Sequence, residues 1–168
     1  PVLDEAVTKA IHVGERARSE TAINEGVVSL GSAAVKLARQ EHDLTGITVL
    51  IVGAGEMATL AAKAIDTRTE ADRLLVVNRT VPHAEHVVDR VDIDGTALGM
   101  DALATATESA DLVISATGKS TPVFDDATLE PAGETVVIDL AQPQDVPESA
   151  DAIPGITRYD LDALESVT

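Results

Sequence analysis

Ile47-Thr48-Val49-Leu50-Ile51-Val52-Gly53-Ala54-Gly55-Glu56-Met57-Ala58 is the stretch on which the reading of the fold turns. A β-branched, apolar run closes in Gly-x-Gly-x-x-Ala, and Met57, Leu60, Ala61, Ala64 and Ile65 follow at helical spacing. Strand, tight turn and amphipathic helix in that order give a glycine fingerprint its meaning. Gly53 lets the chain turn sharply at the strand end. Gly55 leaves the backbone bare for a pyrophosphate to approach, and Ala58 lets the helix pack closely on the strand. The helix N-terminus adds unpaired N–H groups and a partial positive charge, both suited to phosphate. A nucleotide is the expected ligand.

Working outward, Leu74-Leu75-Val76-Val77 reads as the second strand, ending in Asn78-Arg79-Thr80. A short helix follows, with Thr80 as N-cap, Pro82 in its first turn, and an apolar stripe of Ala84, Val87, Val88 and Val91. A third strand is expected at 96–98 and a helix at 101–107. Residues 111–116 read as a buried strand ending in Thr117-Gly118. Another, at 135–139, ends in Leu140-Ala141-Gln142-Pro143, and a sixth is expected at 156–159. Upstream, residues 27–40 form a helix with a small-residue face of Val27, Leu30, Gly31, Ala34, Leu37 and Ala38. Strands alternating with helices imply an α/β fold, a doubly wound parallel sheet. Residues 1–25 stand apart as an N-terminal helical extension broken at Gly14. Its Arg16 and Arg18 read as part of a solvated connector or as an anion or domain contact.

A chain of 168 residues is one domain with a short appendage. At this length roughly 68–70% of the unfolded surface can be buried. With no Trp, one Tyr and one Phe, Val, Ile, Leu and Ala must fill the core. The formal charge is −17, from 29 acidic and 12 basic residues, and Lys is rarer than Arg. That composition is similar to proteins of salt-loving organisms, whose self-repulsion is screened because the Debye length falls to about 3 Å at 1 M salt. It also argues against a nucleic-acid surface on this piece. The absence of Cys excludes disulfides, a thiolate nucleophile and Cys metal ligands within the chain. No apolar run approaches the roughly 18 residues of a membrane span and no signal peptide is visible, so the cytoplasm is the expected compartment. The chain reads as an excised fragment.

In doubly wound sheets ligands sit outside the carboxyl ends of the strands. Those ends are residues 53–58, 78–80, 115–118 and 139–142. The second of them decides the cofactor. An NAD site wants a carboxylate there for the ribose 2′-OH, but Asp72 precedes the strand and would lie about 17 Å from the ligand edge. Arg79 stands at the correct end, able to pair with a 2′-phosphate and stack on adenine. Asn78 and Thr80 add neutral donors. NADP is therefore expected. Small side chains around Ser115, Thr117, Gly118 and Ala141 leave room for the nicotinamide. Glu56 favours the helix dipole and needs no chemical role. Lys119 reads as an exposed loop residue, and His83 and His86 as a solvated pair with no third metal ligand. No residue of this chain is expected to be catalytic.

Arg18-Ser19-Glu20-Thr21-Ala22-Ile23, Val28-Ser29 with Ser32-Ala33-Ala34-Val35, the glycine turn, Val77-Asn78-Arg79-Thr80 and residues 111–118 together resemble the glutamyl-tRNA reductase family. The resemblance spans residues 2–164. It implies an NADPH-dependent oxidoreductase of tetrapyrrole biosynthesis, in which a Cys thiolate attacks glutamyl-tRNA and the thioester takes a hydride to release glutamate 1-semialdehyde. It implies three domains, and places residues 1–25 at the end of the catalytic domain and its linker. Residues 26–160 would be the Rossmann-like NADP-binding domain, and 161–168 the start of the connection to a dimerisation domain. Homodimerisation of the whole protein, glutamyl-tRNA as substrate, and glutamate-1-semialdehyde aminomutase as a partner belong to the same implication; a membrane does not. By carry-over Gly53, Ala54, Gly55, Glu56, Met57 and Ala58 bind NADP.

Gln142 and Gln144 depart from the family, which has an apolar residue and an Arg there. Two alternatives stand beside this reading. One is the cofactor domain of another NADP oxidoreductase, of the shikimate dehydrogenase or methylene-pterin type. The other is a non-enzymatic nucleotide-sensing module like those of potassium uptake systems. The latter usually end the second strand in Asp, which Asn78-Arg79-Thr80 contradicts.

Overall fold

A computed structural model describes residues 30–117 and 123–166 of the chain. The expected N-terminal extension, Gly118 and Lys119 lie outside the described residues. Residues 30–41 are helical (α1). Then come β1 (Thr48–Val52), α2 (Glu56–Arg68), β2 (Arg73–Val77), α3 (Val81–Val88) and β3 (Asp94–Leu98). They are followed by α4 (Leu103–Ser109), β4 (Leu112–Ser115), α5 (Asp126–Leu129), β5 (Thr135–Asp139), β6 (Ile156–Tyr159) and α6 (Leu161–Glu165).

All six strands pair in parallel, in the order β3-β2-β1-β4-β5-β6. The reason lies in the strand sequences. β1, β2, β4 and β5 are nearly continuous aliphatic runs, as strands covered on both faces must be. Val49, Ile51, Leu74, Val76, Ile114 and Ile138 point to one layer, packed with Ala34 and Ala38 of α1 and the Ala58, Ala61, Ala62 and Ile65 face of α2. Leu50, Val52, Leu75, Val77, Val113 and Val137 point to the other, against Leu103 and Ala106 of α4, Leu129 of α5, and Phe124. The small residues on α2 bring α1 close: a Cβ on Gly31 would stand 3.5 Å from the Ala64 Cβ. Tyr159 O–H donates to Glu41 at 2.7 Å, tying the end of α1 to edge strand β6, and this bond together with burial raises the phenol's pKa.

Three differences from the sequence reading have physical causes. The third strand begins at Asp94, two residues before the apolar signal, because Asp94 and Gly95 pair with Arg73 and Leu74 although the edge leaves Asp94 exposed. A side chain at 95 would meet Val88 Cγ1 at 2.8 Å, so a glycine is what lets α3 cover this edge. Helix α3 stops at Val88, short of Val91. Both Asp66 carboxylate oxygens there accept backbone N–H groups, from Asp92 and Ile93, and draw the chain out of the helix. The expected helix at 101–107 starts as a 3-10 turn (Met100–Ala102) and runs on to Ser109.

The chain leaves β1 to one side, for β2 and β3, and returns on the other, for β4 to β6. That reversal opens a crevice at the carboxyl ends of β1 and β4, where doubly wound sheets bind ligands.

Candidate functional site

The glycine turn stands at the head of the crevice. Gly53 has φ +115°, and a Cβ there would lie 2.5 Å from the Ala116 carbonyl oxygen and 2.9 Å from its carbon. Only glycine meets both the dihedral and the approach. Gly55 is different. It is the N-cap of α2 with φ −81°, and a Cβ built on it would touch nothing within 4 Å. Its lack of a side chain serves nothing inside the protein and leaves an open cradle above the helix N-terminus. No side chain caps this helix, so the N–H groups of its first turn have no partner within the helix. Ala58 is fully buried, and Ala54 and Met57 pack half-buried on the core, so these three offer a ligand backbone rather than side chain. Glu56 is exposed.

Beside the turn runs an open groove of about 690 Å³ between α2 and α3, lined among others by Gly55, Lys63, His83, His86 and Arg90. The two histidines thus line a groove that also holds Lys63, Arg90 and Glu56. At the carboxyl end of β2, Asn78 N–H donates to the Leu98 carbonyl and the Asn78 side chain donates to the Thr80 carbonyl at 3.0 Å. Asn78 therefore shapes the turn that presents Arg79 and Thr80, both exposed, to solvent at the end of β2. Asp72 sits at the opposite, amino end of β2, where its N–H donates to the Ile47 carbonyl.

The β4 and β5 ends are organised by two buried carboxylates. Asp139 accepts the N–H groups of Ala141 at 3.0 Å and Val146 at 2.9 Å, while burial pushes its pKa up to about 6. Asp145 accepts Ser115 O–H at 2.7 Å, Thr117 N–H at 3.0 Å and Thr117 O–H. Thr117 is half-buried, and Ala141 is buried with its N–H spent on Asp139. The sequence signal for Asp145 is thin: one acid after Pro143-Gln144, in a chain with 29 acids. Gln144, where the resemblance expects Arg, reaches Asp160 at 3.5 Å. Among the described residues there is no cluster of His, Asp or Glu placed to hold a metal. None of the described helices is long and apolar enough to cross a membrane.

Residues 36–167 match the family model described as shikimate/quinate 5-dehydrogenase. The chain belongs to that family. Within this dehydrogenase family its relatives carry another name. Over all 168 residues it is 60% identical to the glutamyl-tRNA reductase of Haloarcula marismortui, of which it spans 37%. The solved glutamyl-tRNA reductase of Methanopyrus kandleri is 36% identical with a TM-score of 0.76, covering 94% of this chain and 41% of that one. The nucleotide-binding domain of the Thermoplasma volcanium protein covers 82% of this chain and 89% of its own, with a TM-score of 0.64 and 19% identity, a likeness of fold. The halophilic character read from the charge agrees with relatives from Haloarcula, Natronomonas and Halobacterium.

Proposed function

We propose that this chain is the NADPH-binding portion of a glutamyl-tRNA reductase, with residues 26–160 as the cofactor domain. The observation that carries the reading is the pairing of an open cradle at Gly55 with Arg79 at the end of β2. The cofactor's pyrophosphate rests on the backbone of Gly53, Ala54, Gly55, Glu56, Met57 and Ala58. Asn78 holds the turn from which Arg79 and Thr80 take the 2′-phosphate. Thr117, Gly118 and Ala141 flank the nicotinamide. The bound cofactor supplies a hydride; this chain's residues orient it and give it one open face.

Chemistry on the glutamyl ester needs a nucleophile from elsewhere, since the chain has no Cys. The Ser115 and Thr117 hydroxyls are bonded to Asp145, a carboxylate that orients them inward rather than at a substrate. The nucleophile, glutamyl-tRNA, the homodimer contacts and any aminomutase contact fall to regions outside these residues. Identity with the Haloarcula marismortui relative supports this division, because the match occupies 37% of that protein.

The test is a chimaera in which this chain replaces the matching residues of the Haloarcula marismortui protein. In single-turnover assays with glutamyl-tRNA the chimaera oxidises NADPH, whereas the isolated chain binds NADPH without oxidising it. Turnover by the isolated chain would overturn the assignment of roles. A chimaera that binds NADPH without oxidising it, beside an active parent, would overturn the proposed function.

A further inference from the structure

Helices α2 and α3 each follow a strand of the parallel sheet and pack on the same layer of the core, so both run down from its carboxyl edge. The groove of about 690 Å³ lies between them. Glu56, Thr59, Leu60 and Lys63 line it from α2, at the spacing of one helix face. His83 and His86 line it from α3, and Arg90 from the turn beyond. Seven residues of helix separate Glu56 from Lys63, about 10 Å of rise. Glu56 therefore stands at the head of the groove beside the Gly55 cradle, and Lys63 and Arg90 stand at its foot. The foot has no carboxylate to balance it. Asp66, one turn after Lys63, gives its two oxygens to the Asp92 and Ile93 N–H groups instead. The side chains of Lys63, His83 and His86 have no hydrogen-bond or ion-pair partner among the described residues. Arg90 places one Nη on the His86 carbonyl at 3.1 Å, which sets the guanidinium across the end of α3. In a chain where 29 acids outnumber 12 Lys and Arg, two cations and two of the four histidines share this one groove.

We propose that the foot of this groove is a phosphate site separate from the cofactor cradle, where Lys63, His86 and Arg90 hold the phosphate of a small phosphomonoester or a free phosphate ion. The chemistry fits the donor set. Lys offers three N–H groups on a point charge, Arg a planar fork, and an imidazole one donor when neutral and two when protonated. A phosphate dianion accepts from all of them. Such contacts are made at hydrogen-bond distance, within the Debye length of about 3 Å at 1 M salt, so high salt screens them least. The groove has the size of a small-molecule site rather than of a lone ion, and half-buried Leu60 gives the ligand's carbon skeleton an apolar floor. A nucleic-acid strand fits less well, because the charge of −17 opposes a phosphate backbone that runs on past the groove.

The test titrates the full chain with inorganic phosphate and with ribose 5-phosphate in molar KCl, followed by phosphorus NMR. Both probes bind saturably at one site, and tighter binding of ribose 5-phosphate identifies an organic phosphomonoester as the ligand, equal binding a free phosphate. Lys63→Gln and Arg90→Gln each weaken binding by about tenfold or more, the size of one lost hydrogen bond with a charged group. Lys36→Gln, an exposed cation on α1 outside the groove, leaves it within about twofold. The three positions are exposed, and melting temperatures close to that of the wild-type chain confirm that each variant is folded. Saturating 2′,5′-ADP, a probe of the cofactor cradle, leaves phosphate affinity within about twofold. Failure of both probes to saturate, equal weakening by Lys36→Gln, or displacement of phosphate by 2′,5′-ADP overturns the inference. So does a single-stranded RNA octamer that displaces phosphate at lower concentration than ribose 5-phosphate does, since the groove would then be a nucleic-acid surface. A chain that takes phosphate at this site and fails to bind 2′,5′-ADP instead refutes the cofactor-domain reading and leaves the phosphate site standing.

Discussion

The two glycines of the fingerprint separate when each is changed to Ala. At Gly53 the backbone has φ +115°, a conformation in which a Cβ costs on the order of 1–3 kcal/mol. The added methyl also lies 2.5 Å from the Ala116 oxygen, backbone that cannot move without breaking the Ala116 N–H bond to Val52. Overpacking of that kind costs about 1–3 kcal/mol more. A combined loss of about 2–6 kcal/mol is a large part of the roughly 5–15 kcal/mol that holds a domain together. At Gly55 the methyl meets nothing within 4 Å and φ is −81°, so Gly55→Ala costs only the preference for glycine over alanine at an N-cap, about 0.5–1 kcal/mol. Its methyl instead fills the cradle proposed for the pyrophosphate. Urea unfolding at constant high KCl, paired with NADPH titration, checks both. Gly53→Ala shows a much lower unfolding midpoint, while Gly55→Ala stays close to the wild-type midpoint and loses NADPH binding by about tenfold or more. A Gly55→Ala chain that binds like wild type, or a Gly53→Ala chain as stable as wild type, would refute the reasoning.

The charge of −17 implies a melting temperature that rises with KCl into the molar range; a flat curve, with a non-ionic osmolyte as control, would contradict it. Asp139 titrates near 6 in the fold against an ordinary value of 3.8. The native state therefore holds a proton that the unfolded chain has lost between those values. Stability from this group falls by about 2–3 kcal/mol as pH rises from about 4 to 6.5, then levels. Asp139→Asn flattens that part of the urea-midpoint profile, and parallel profiles for the two chains would exclude Asp139 as the source.

The periodicity of Val49 to Val52, Leu74 to Val77 and Val136 to Ile138 made the sheet legible, because strands buried on both faces have little freedom in composition. Gly53 and Gly55 were legible as a pair with different tasks, the first turning the chain and the second leaving backbone open. What needed the structure was the physical ground at each: a positive φ and the Ala116 backbone at 2.5 Å for Gly53, empty space for Gly55. The Asn-Arg-Thr end of β2 was legible because its position relative to a strand end needs no tertiary information. Edge strand β3 was half-legible, since Asp94 and Gly95 answer to α3 packing rather than to burial. Asp145 escaped because its partners Ser115 and Thr117 lie 30 and 28 residues away, and no local spacing records such a contact. The groove bases Lys63, His83, His86 and Arg90 escaped as a set for the same reason: two helices had to be laid side by side to bring them together.

Whether the end of β2 reads a 2′-phosphate is decided by a calorimetric titration of the purified chain with NADPH and with NADH. Arg79 is the charged donor there, Asp72 is at the far end of the strand, and a charged hydrogen bond of about 1.5–3 kcal/mol corresponds to a preference of roughly ten- to a hundredfold. NADPH binds tighter by that factor, and the difference is abolished in Arg79→Ala through loss of NADPH affinity alone. Equal affinity for the two cofactors in the wild-type chain, or a preference that survives Arg79→Ala undiminished, would contradict it.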